Sequence, residues 1–401
     1  MVKTAIIYDK WLSGMGGGEV VACNMARVLK DEGYQVIFAC GKIVSSEIIK
    51  DKLGIDISGI EFEEVQNEQG LKQLTINYQL STVNLFINIS FMDYSYGIGK
   101  KNIYYVHFPS QIRSGLFNYV LQFFQKTNLH FLLPNLLRER INDRLRAGIY
   151  PDMNKRLDSY DAFITHSEYV KKWIKKLWCK DAVVLYPPIK LVNPLTREPV
   201  NKLNWICSVG RFFTLGHGKK QEIMIDAFKK LVNPLTREPV NSLKNLQLHL
   251  IGGVGHEPSS IRFVEKLQEM AKGYPIFFHF NIDRKEVEEI LYKSKIYWHA
   301  TGYGEDAMRD PIKFEHFGIA PIEAISAGCI PVLFNGGGLN EIVGLLGYNK
   351  NLHLFSSIED LVEKTKKIII NSEKIMIDSK ILSNYFSSIS FKEQFLRIID
   401  Y

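Results

Sequence analysis

Apolar residues along this chain fall into two alternating rhythms. Short continuous runs rich in β-branched residues, Thr4 to Tyr8, Gln35 to Ala39, Leu85 to Ile89 and Ile103 to His107, predict buried strands, and Glu19 to Glu32 has helical spacing. A helix-rich middle from Gln111 to Leu157 leads to a strand over Ala162 to Thr165, a helix over Glu168 to Trp178 and a strand over Ala182 to Tyr186. Pro187-Pro188 stops that strand and marks a hinge, because neither proline can donate to a ladder. The alternation then restarts. Strands are expected over Trp205 to Val209, Leu246 to Ile251, Ile276 to Phe280, Ile296 to His299 and Ile330 to Phe334, with helices over Gln221 to Leu231, near Ile261 to Lys272 and near Lys285 to Ser294. Repeated βαβ units imply parallel sheets, so the reading is α/β, with two Rossmann-like domains at 1–187 and 188–385. The last segment, Ile389 to Ile399, puts Phe391, Phe395, Ile398 and Ile399 at helical spacing with Ser390 available as an N-cap.

Composition narrows the class. With 401 residues, 46% hydrophobic and 23% charged, the chain can fill two cores and is neither disordered nor membrane-spanning in character. Apolar runs such as Gly115 to Phe124 fall short of the roughly 20 residues that cross a bilayer, and Met1 to Asp9 enters a strand-like run without a signal peptide's apolar core, so a cytoplasmic protein is expected. Five scattered cysteines, Cys23, Cys40, Cys179, Cys207 and Cys329, show neither paired nor metal-ligand spacing and read as buried thiols. A net charge of +7 suits phosphate-rich ligands or an anionic membrane surface; nucleic acid gains no support from any zinc-finger, RRM or helix-turn-helix pattern. One feature fits no function: Lys190 to Asn201 and Lys230 to Asn241 are the same twelve residues. Each copy has two prolines and two asparagines, so we read both as loops left by a recent duplication or by an artefact of cloning, not as a site, and too short and too few for a solenoid.

The richest stretch for chemistry runs from Phe314 to Val332. Glu315 lies in a tight turn through Gly318, Pro321 suits a first helical turn, Glu323 falls within the helix, and Gly328 ends it before the strand at Ile330. A helix N-terminus binds phosphate, so the amides of Phe317, Gly318 and Ile319 can take an anion while the two carboxylates accept hydroxyl hydrogen bonds. The alternative is an ordinary strand-loop-helix unit with solvated glutamates. His299 and His316 flank the turn without an assigned role.

The spacing Glu315-x7-Glu323, followed by Ala327-Gly328-Cys329-Ile330-Pro331-Val332 and Gly336-Gly337-Gly338-Leu339-Asn340-Glu341-Ile342-Val343, resembles family 4 retaining glycosyltransferases. The likeness covers most of the chain, is most specific from Trp205 to Val343, and thins between Asp51 and Phe91 and after Asn351. It implies the GT-B fold, two Rossmann-like domains facing a cleft with a C-terminal helix, 386–401, crossing back to the first. Tyr105-Val106-His107-Phe108-Pro109, Gly210-Arg211-Phe212-Phe213, Lys219-Lys220-Gln221 and Glu315-His316-Phe317-Gly318 look nearest to the α-1,2-mannosyltransferases that extend dolichol-linked oligosaccharides from GDP-mannose. The acidic stretch Gly302 to Lys313 departs from that pattern, which leaves donor base and sugar open.

Three further groups complete the expected site. Gly16, Gly17 and Gly18 follow the first strand and open a helix, where they can approach a phosphate or a sugar, or simply make a tight turn. A dinucleotide fingerprint fails there, since Glu19 stands where the third glycine belongs and the second strand ends at Cys40 without a ribose-binding acid. Arg211 and Lys219, with Lys220 as the one-residue alternative, can stabilise a departing diphosphate. His107 ends a strand of the first half; Asp93 is a weaker candidate that can equally cap a turn. Among similar transferases a matching histidine touches the transferred sugar. The expected donor site is therefore Glu323 on ribose hydroxyls, Arg211 and Lys219 on the diphosphate, and Glu315 with the turn amides on the sugar. No metal and no cofactor are expected, because the cations and helix dipole supply the positive charge and no Asp-x-Asp motif lies near. A sugar-nucleotide epimerase, a phosphorylase and a non-catalytic nucleotide-sugar binder remain open alternatives.

Between Lys100 and Lys180, fifteen Lys and Arg face six Asp and Glu, interleaved with Leu116, Phe117, Tyr119, Phe123, Phe124, Phe131, Leu132, Leu133, Trp173 and Trp178. Such a segment can lie on an anionic leaflet and collect a lipid-linked acceptor, or it can be core-packed helices with solvated basic faces. The surface reading predicts that the protein sediments with anionic vesicles at low salt and is released at high salt. Absence of binding at every salt concentration overturns it.

Overall fold

Both runs of apolar strands form parallel sheets in the computed structural model of the chain, which describes residues 3–78, 83–110, 152–191, 202–213, 218–232, 245–371 and 379–400 and the single positions 120, 123, 124, 127, 129 and 134. Two compact units emerge, Met1–Pro187 with Gln394–Tyr401, and Pro188–Glu393. In the first, the strands β1 (Thr4–Asp9), β2 (Gln35–Cys40), β3 (Glu61–Glu64), β4 (Leu85–Asn88), β5 (Lys101–Tyr105), β6 (Ala162–Thr165) and β7 (Val183–Val184) lie in the order 3-2-1-4-5-6-7. Every pairing is parallel, with Ile6 opposite Ile37 on one side and Phe86 on the other. The helices α1 (Gly17–Asp31), α2 (Ser46–Leu53), α3 (Glu68–Asn77), α4 (Met153–Asp158) and α5 (Glu168–Trp178) connect them.

Burial explains the pattern. The central strand β1 is buried at all six positions, as a strand covered on both faces requires, whereas the edge strand β3, Glu-Phe-Glu-Glu, is nowhere buried and carries charge that discourages further pairing. Ser45 and Ser167 cap α2 and α5 by accepting from Ile48 N at 3.4 Å and Val170 N at 3.1 Å.

The second unit repeats the plan. Strands β8 (Leu203–Val209), β9 (Gln247–Gly252), β10 (Ile276–Phe280), β11 (Ser294–His299), β12 (Ile330–Phe334) and β13 (Leu354–Phe355) run parallel in the order 10-9-8-11-12-13. Around them lie α6 (Gln221–Val232), α7 (Pro258–Ala271), α8 (Arg284–Lys293), α9 (Ile319–Ser326), α10 (Leu339–Leu345), α11 (Lys350–His353), α12 (Ile358–Asn371) and α13 (Ser379–Phe386), and the last helix, α14 (Ser388–Asp400), begins in this unit and from Gln394 onward belongs to the first. Ile206, Leu248, Leu250, Phe228, Trp298 and Leu361 form the core, and the Trp298 indole donates to Thr365 Oγ1 at 3.1 Å. In both sheets the strand order reverses beside the first strand, at β1/β4 and at β8/β11. In such folds ligands bind outside the carboxyl ends of the strands at that reversal.

Several local expectations change. Ser387, not Ser390, stands at the N-cap of α14: its Oγ accepts from Ser390 N at 3.1 Å, while the Ser390 hydroxyl donates back to Asn384 O. The strand expected over Ala182 to Tyr186 shrinks to Val183–Val184 at the sheet edge. Of the second duplicated copy, Lys230 and Leu231 lie in α6 as its expected span already implied and Val232 extends the helix by one residue, so the copy is not loop throughout, while Lys190 and Leu191 of the first copy are non-helical. The remaining residues of both copies lie outside the described residues, as does nearly all of 111–151. Trp173 and Trp178, offered above as membrane-facing, are buried in the first unit; Trp178 stacks on Tyr104 and donates to Ser110 O at 2.8 Å. No helix among the described residues is long and apolar enough to cross a membrane.

Asp9 closes β1 almost wholly buried, accepting from Trp11 N at 3.0 Å. Burial first, and then the nearby Glu19 charge, push its pKa from 3.8 up to about 8. The unfolded chain releases that proton near pH 4 and the folded chain only near pH 8, so Asp9 makes stability fall as pH rises through this window. An Asp9→Asn variant keeps the acceptor without the charge. It should melt several degrees above the parent at pH 8.5, with the gap closing toward pH 4; a gap independent of pH contradicts the assignment.

Candidate functional site

At the β8/β11 reversal of the second sheet, four segments bring charged side chains together. β8 ends at Val209 and leads into Gly210-Arg211, β11 ends at His299, α6 begins just after Lys219 and Lys220, and the turn Phe314 to Gly318 leads into α9. Close packing requires the glycines. A Cβ on Gly210 would lie 2.5 Å from Lys219 Cγ, and one on Gly252 would meet Gly210 O at 2.1 Å. Gln221 Nε2 fastens the same loop by donating to Arg211 O at 3.1 Å and Gly210 O at 3.3 Å.

Glu315 is the centre of this group. Only 9% exposed, its Oε2 takes Lys219 Nζ at 2.6 Å and His299 Nε2 at 2.6 Å. Thr301 Oγ1 is 3.0 Å from His299 Nε2, and the Tyr297 hydroxyl faces His299 Nδ1 at 3.3 Å. Burial lowers the His299 pKa below 6.5, with Glu315 opposing, so the imidazole is neutral at pH 7 and donates to Glu315 through Nε2–H. Between the two candidate lysines the geometry discriminates. Lys220, held at φ 56°, sends its ammonium to Glu305 at 2.6 Å, and Lys313 takes the other oxygen of Glu305 at 3.0 Å. The acidic stretch thus claims Lys220 and leaves Lys219 to Glu315. Arg211 is exposed, with its guanidinium carbon 5.1 Å from the Phe213 ring, and among the described residues no carboxylate pairs with it.

The turn itself is built on glycine. Gly318 caps α9 at φ 109°, and no side chain among the described residues caps that helix, so its first amides are open. Phe317 is buried and Ile319 begins the helix. Gly337 and Gly338 pass so close that a Cβ would meet Glu315 O and His316 O, each at 2.4 Å, and Gly338 N donates to Glu315 O at 2.7 Å. At the other end, Gly328 at φ 84° stops α9 while Cys329 N returns to Ala324 O at 2.9 Å. His316 has a structural role, its Nε2 lying 3.0 Å from Ile312 O.

Glu323 is 8% exposed, and Arg284 spans it, with Nη2 to Oε1 at 2.7 Å and Nη1 to Oε2 at 3.1 Å. Neither this arginine nor the pairing role of His299 was read from the sequence. A signal for Arg284 existed: it opens α8 immediately after the N-cap Asp283, where a cation opposes the helix dipole and needs a nearby anion.

In the first unit, Gly16 N donates to the Glu19 carboxylate at the start of α1. Gly17 is the first residue of that helix. Gly18 packs on His107, since a Cβ there would lie 2.5 Å from the imidazole Cε1. His107 Nε2 is 2.7 Å from Ile89 O, and burial pushes its pKa from 6.5 down to about 4. The ring is neutral at pH 7, with Nε2–H donated to Ile89 and the Nδ1 lone pair left over. Asp93 is held by the Tyr8 hydroxyl at 3.1 Å and by Ser95 N and Oγ at 3.1 and 2.6 Å, and so acts as a turn cap.

Residues 197–379, all within the second unit, match the family model of the glycosyl transferases group 1. Among curated proteins, the chain is 24% identical over 312 residues to a GDP-Man:Man(3)GlcNAc(2)-PP-Dol alpha-1,2-mannosyltransferase of Dictyostelium discoideum, covering 74% of this chain and 58% of that protein. The Xenopus laevis protein of the same name is 27% identical over 186 residues, covering 44% of this chain and 35% of its own length. The chain thus spans about half the length of the curated relatives it matches. Among solved structures, a glycosyltransferase of Rickettsia africae superposes with a TM-score of 0.64 at 15% identity, covering 100% of this chain and 98% of that one. Anabaena HepE, solved with UDP, gives 0.62 at 14% identity and covers each chain fully. The structural likenesses show the fold, two Rossmann-like α/β units of GT-B type.

Removing one member of a buried charge pair leaves the other uncompensated. Lys219→Met should destabilise the second unit by about 3 kcal/mol in urea denaturation, and adding Glu315→Gln should recover more than half of the loss. No recovery in the double variant contradicts the pairing.

Proposed function

We propose that this chain, whose residues 197–379 match the glycosyl transferases group 1, is a glycosyltransferase that moves a hexose from a nucleoside diphosphate sugar to a hydroxyl of a glycan or lipid-linked acceptor with retention of configuration. Mannose from GDP-mannose is the favoured donor, on the names of the two curated relatives. One observation carries the reading. A buried carboxylate, Glu315, is held by Lys219 and His299 beside an exposed Arg211 and the open amides of α9, at the strand reversal where α/β folds bind ligands.

On this reading each group has its own work. Arg211 and Lys219 stabilise the charge that grows on the departing diphosphate, aided by the N-terminus of α9. Lys219 can exchange Glu315 for phosphate, which frees a lone pair of Oε2, still held by His299, for a sugar hydroxyl just as the donor arrives. The amides of Phe317, Gly318 and Ile319 face the same ligand, and Glu323 accepts from the ribose. Departure of the nucleotide leaves an oxocarbenium-like sugar that the acceptor hydroxyl attacks from the face the nucleotide left. His107 is assigned to the transferred sugar or the acceptor, with Nδ1 as the acceptor atom, and Gly16 to Gly18 form the loop beside it. No metal enters this scheme, since side-chain cations and a helix terminus carry the neutralisation. A peripheral position on an anionic membrane through 100–180 would bring a lipid-linked acceptor within reach.

The decisive experiment measures nucleoside diphosphate release from a panel of nucleotide sugars, with and without lipid-linked acceptors. Release by the parent protein should exceed that of Glu315→Ala and Arg211→Ala by about a hundredfold. Binding without turnover supports a nucleotide-sugar binder instead, and release equal to the variants defeats the transferase.

A further inference from the structure

The first unit fixes an aromatic ring in water. Trp11 follows β1 and is 52% exposed, yet three of its polar atoms are held: its backbone N donates to Asp9 Oδ1 at 3.0 Å, its carbonyl accepts from Gly14 N at 2.7 Å, and its indole Nε1 donates to Phe91 O at 3.1 Å. Phe91 follows β4, on the other side of the strand reversal, and is itself 39% exposed. A second bond, Lys10 N to Ser90 Oγ at 3.0 Å, ties the two loops together. Phe91 in turn stands edge-on to His107, with ring centroids 6.0 Å apart and planes at 73°.

A tryptophan that served only to close this turn would gain by burying its rings, and a smaller donor would satisfy Phe91 O. Instead the N–H is spent and much of the ring stays in water. An indole anchored in this way offers contact area with little side-chain entropy left to lose when something lands on it. Its surroundings say what that something is. The Lys10 ammonium lies 5.8 Å from the indole centroid, and His107, beside Phe91, keeps an Nδ1 lone pair. The chain after Trp11 adds no apolar surface, since Leu12 is buried while Ser13, Gly14, Gly16 and Gly17 are exposed. Small apolar plates among hydrogen-bonding groups suit a molecule that gathers C–H bonds on one face and carries hydroxyls around its edge. A pyranose has that form, and its slightly positive C–H bonds suit the negative face of an indole. An isoprenyl or acyl chain needs continuous apolar surface. The geometry points to a stacking surface on Trp11, flanked by Phe91, for a pyranose ring of the acceptor glycan. That the stacked sugar is the acceptor rests on the transferase reading; that Trp11 takes a sugar does not.

Fluorine NMR of the full chain labelled with 5-fluorotryptophan tests this. The chain has five tryptophans, and the Trp11→Phe variant identifies the signal of Trp11. Titration with oligosaccharides of mannose, glucose and N-acetylglucosamine should shift that signal saturably, while those of the buried Trp173, Trp178 and Trp298 stay in place. Calorimetric titration with the sugar that shifts it most should show binding about tenfold weaker in Trp11→Ala and about threefold weaker or less in Trp11→Phe, which keeps a ring. Trp11→Leu, apolar without a π face, should lose as much as the alanine variant, and it serves if that variant does not fold. A Trp11 signal that no sugar moves overturns the proposal. So does a shift caused by geranyl phosphate, GDP or UDP but by no sugar, which assigns the ring to a lipid or a base. Parental affinity for sugar in the alanine and leucine variants overturns it as well. A protein that binds sugar on Trp11 yet releases no nucleotide from any nucleotide sugar keeps the stacking surface and loses the transferase reading.

Discussion

A carboxylate cannot be buried alone, and the second unit is arranged around that constraint at Glu315. Its oxygen draws Lys219 from the start of α6 and His299 from the end of β11, groups separated by 96 and 16 residues of sequence. The neutral imidazole donates one hydrogen bond and the ammonium adds a full charge, so the carboxylate is satisfied without becoming inert. An anion that competes for Lys219 meets a partner already held in place. Such a site costs stability when any one member is lost, which ties the fold of the unit to the integrity of its chemistry.

The two sheets reach similar ends by different means. In each, the strand order reverses beside the first strand, and glycines let helix starts and loops come close to the strand ends. The first unit uses this closeness for Gly18 against an uncharged His107, and the second for Gly210 against Lys219. The close contact is thus with an uncharged ring in the first unit and with a charged side chain in the second.

Much of this was legible in the sequence, for identifiable reasons. Ile276–Phe280, Ile330–Phe334 and Glu168–Trp178 have the expected bounds because apolar runs or helical spacing stop sharply at polar or capping residues. The segments α2, β3 and α3 escaped, since β3 is an edge strand of three glutamates and one phenylalanine and reads as surface. Glu315 and Glu323 stood out by their spacing from each other, but their true partners could not, because ion pairs form across the fold and leave no period in the chain. The twin segments show the limit most plainly. The same Lys-Leu opens each copy, yet Leu231 is buried as the helix α6 ends and Leu191 is not, because only the second follows a helix already packed on a core.

The turn at Gly336 to Gly338 also bears on how the gene can change. A Cβ at Gly337 or Gly338 would press on main-chain oxygen, which has no rotamer to escape into. Every amino acid reachable from a glycine codon by one base change carries a Cβ. Single-step mutation at these two positions therefore moves the backbone that carries Glu315, so a change in the turn reaches the carboxylate without touching its side chain.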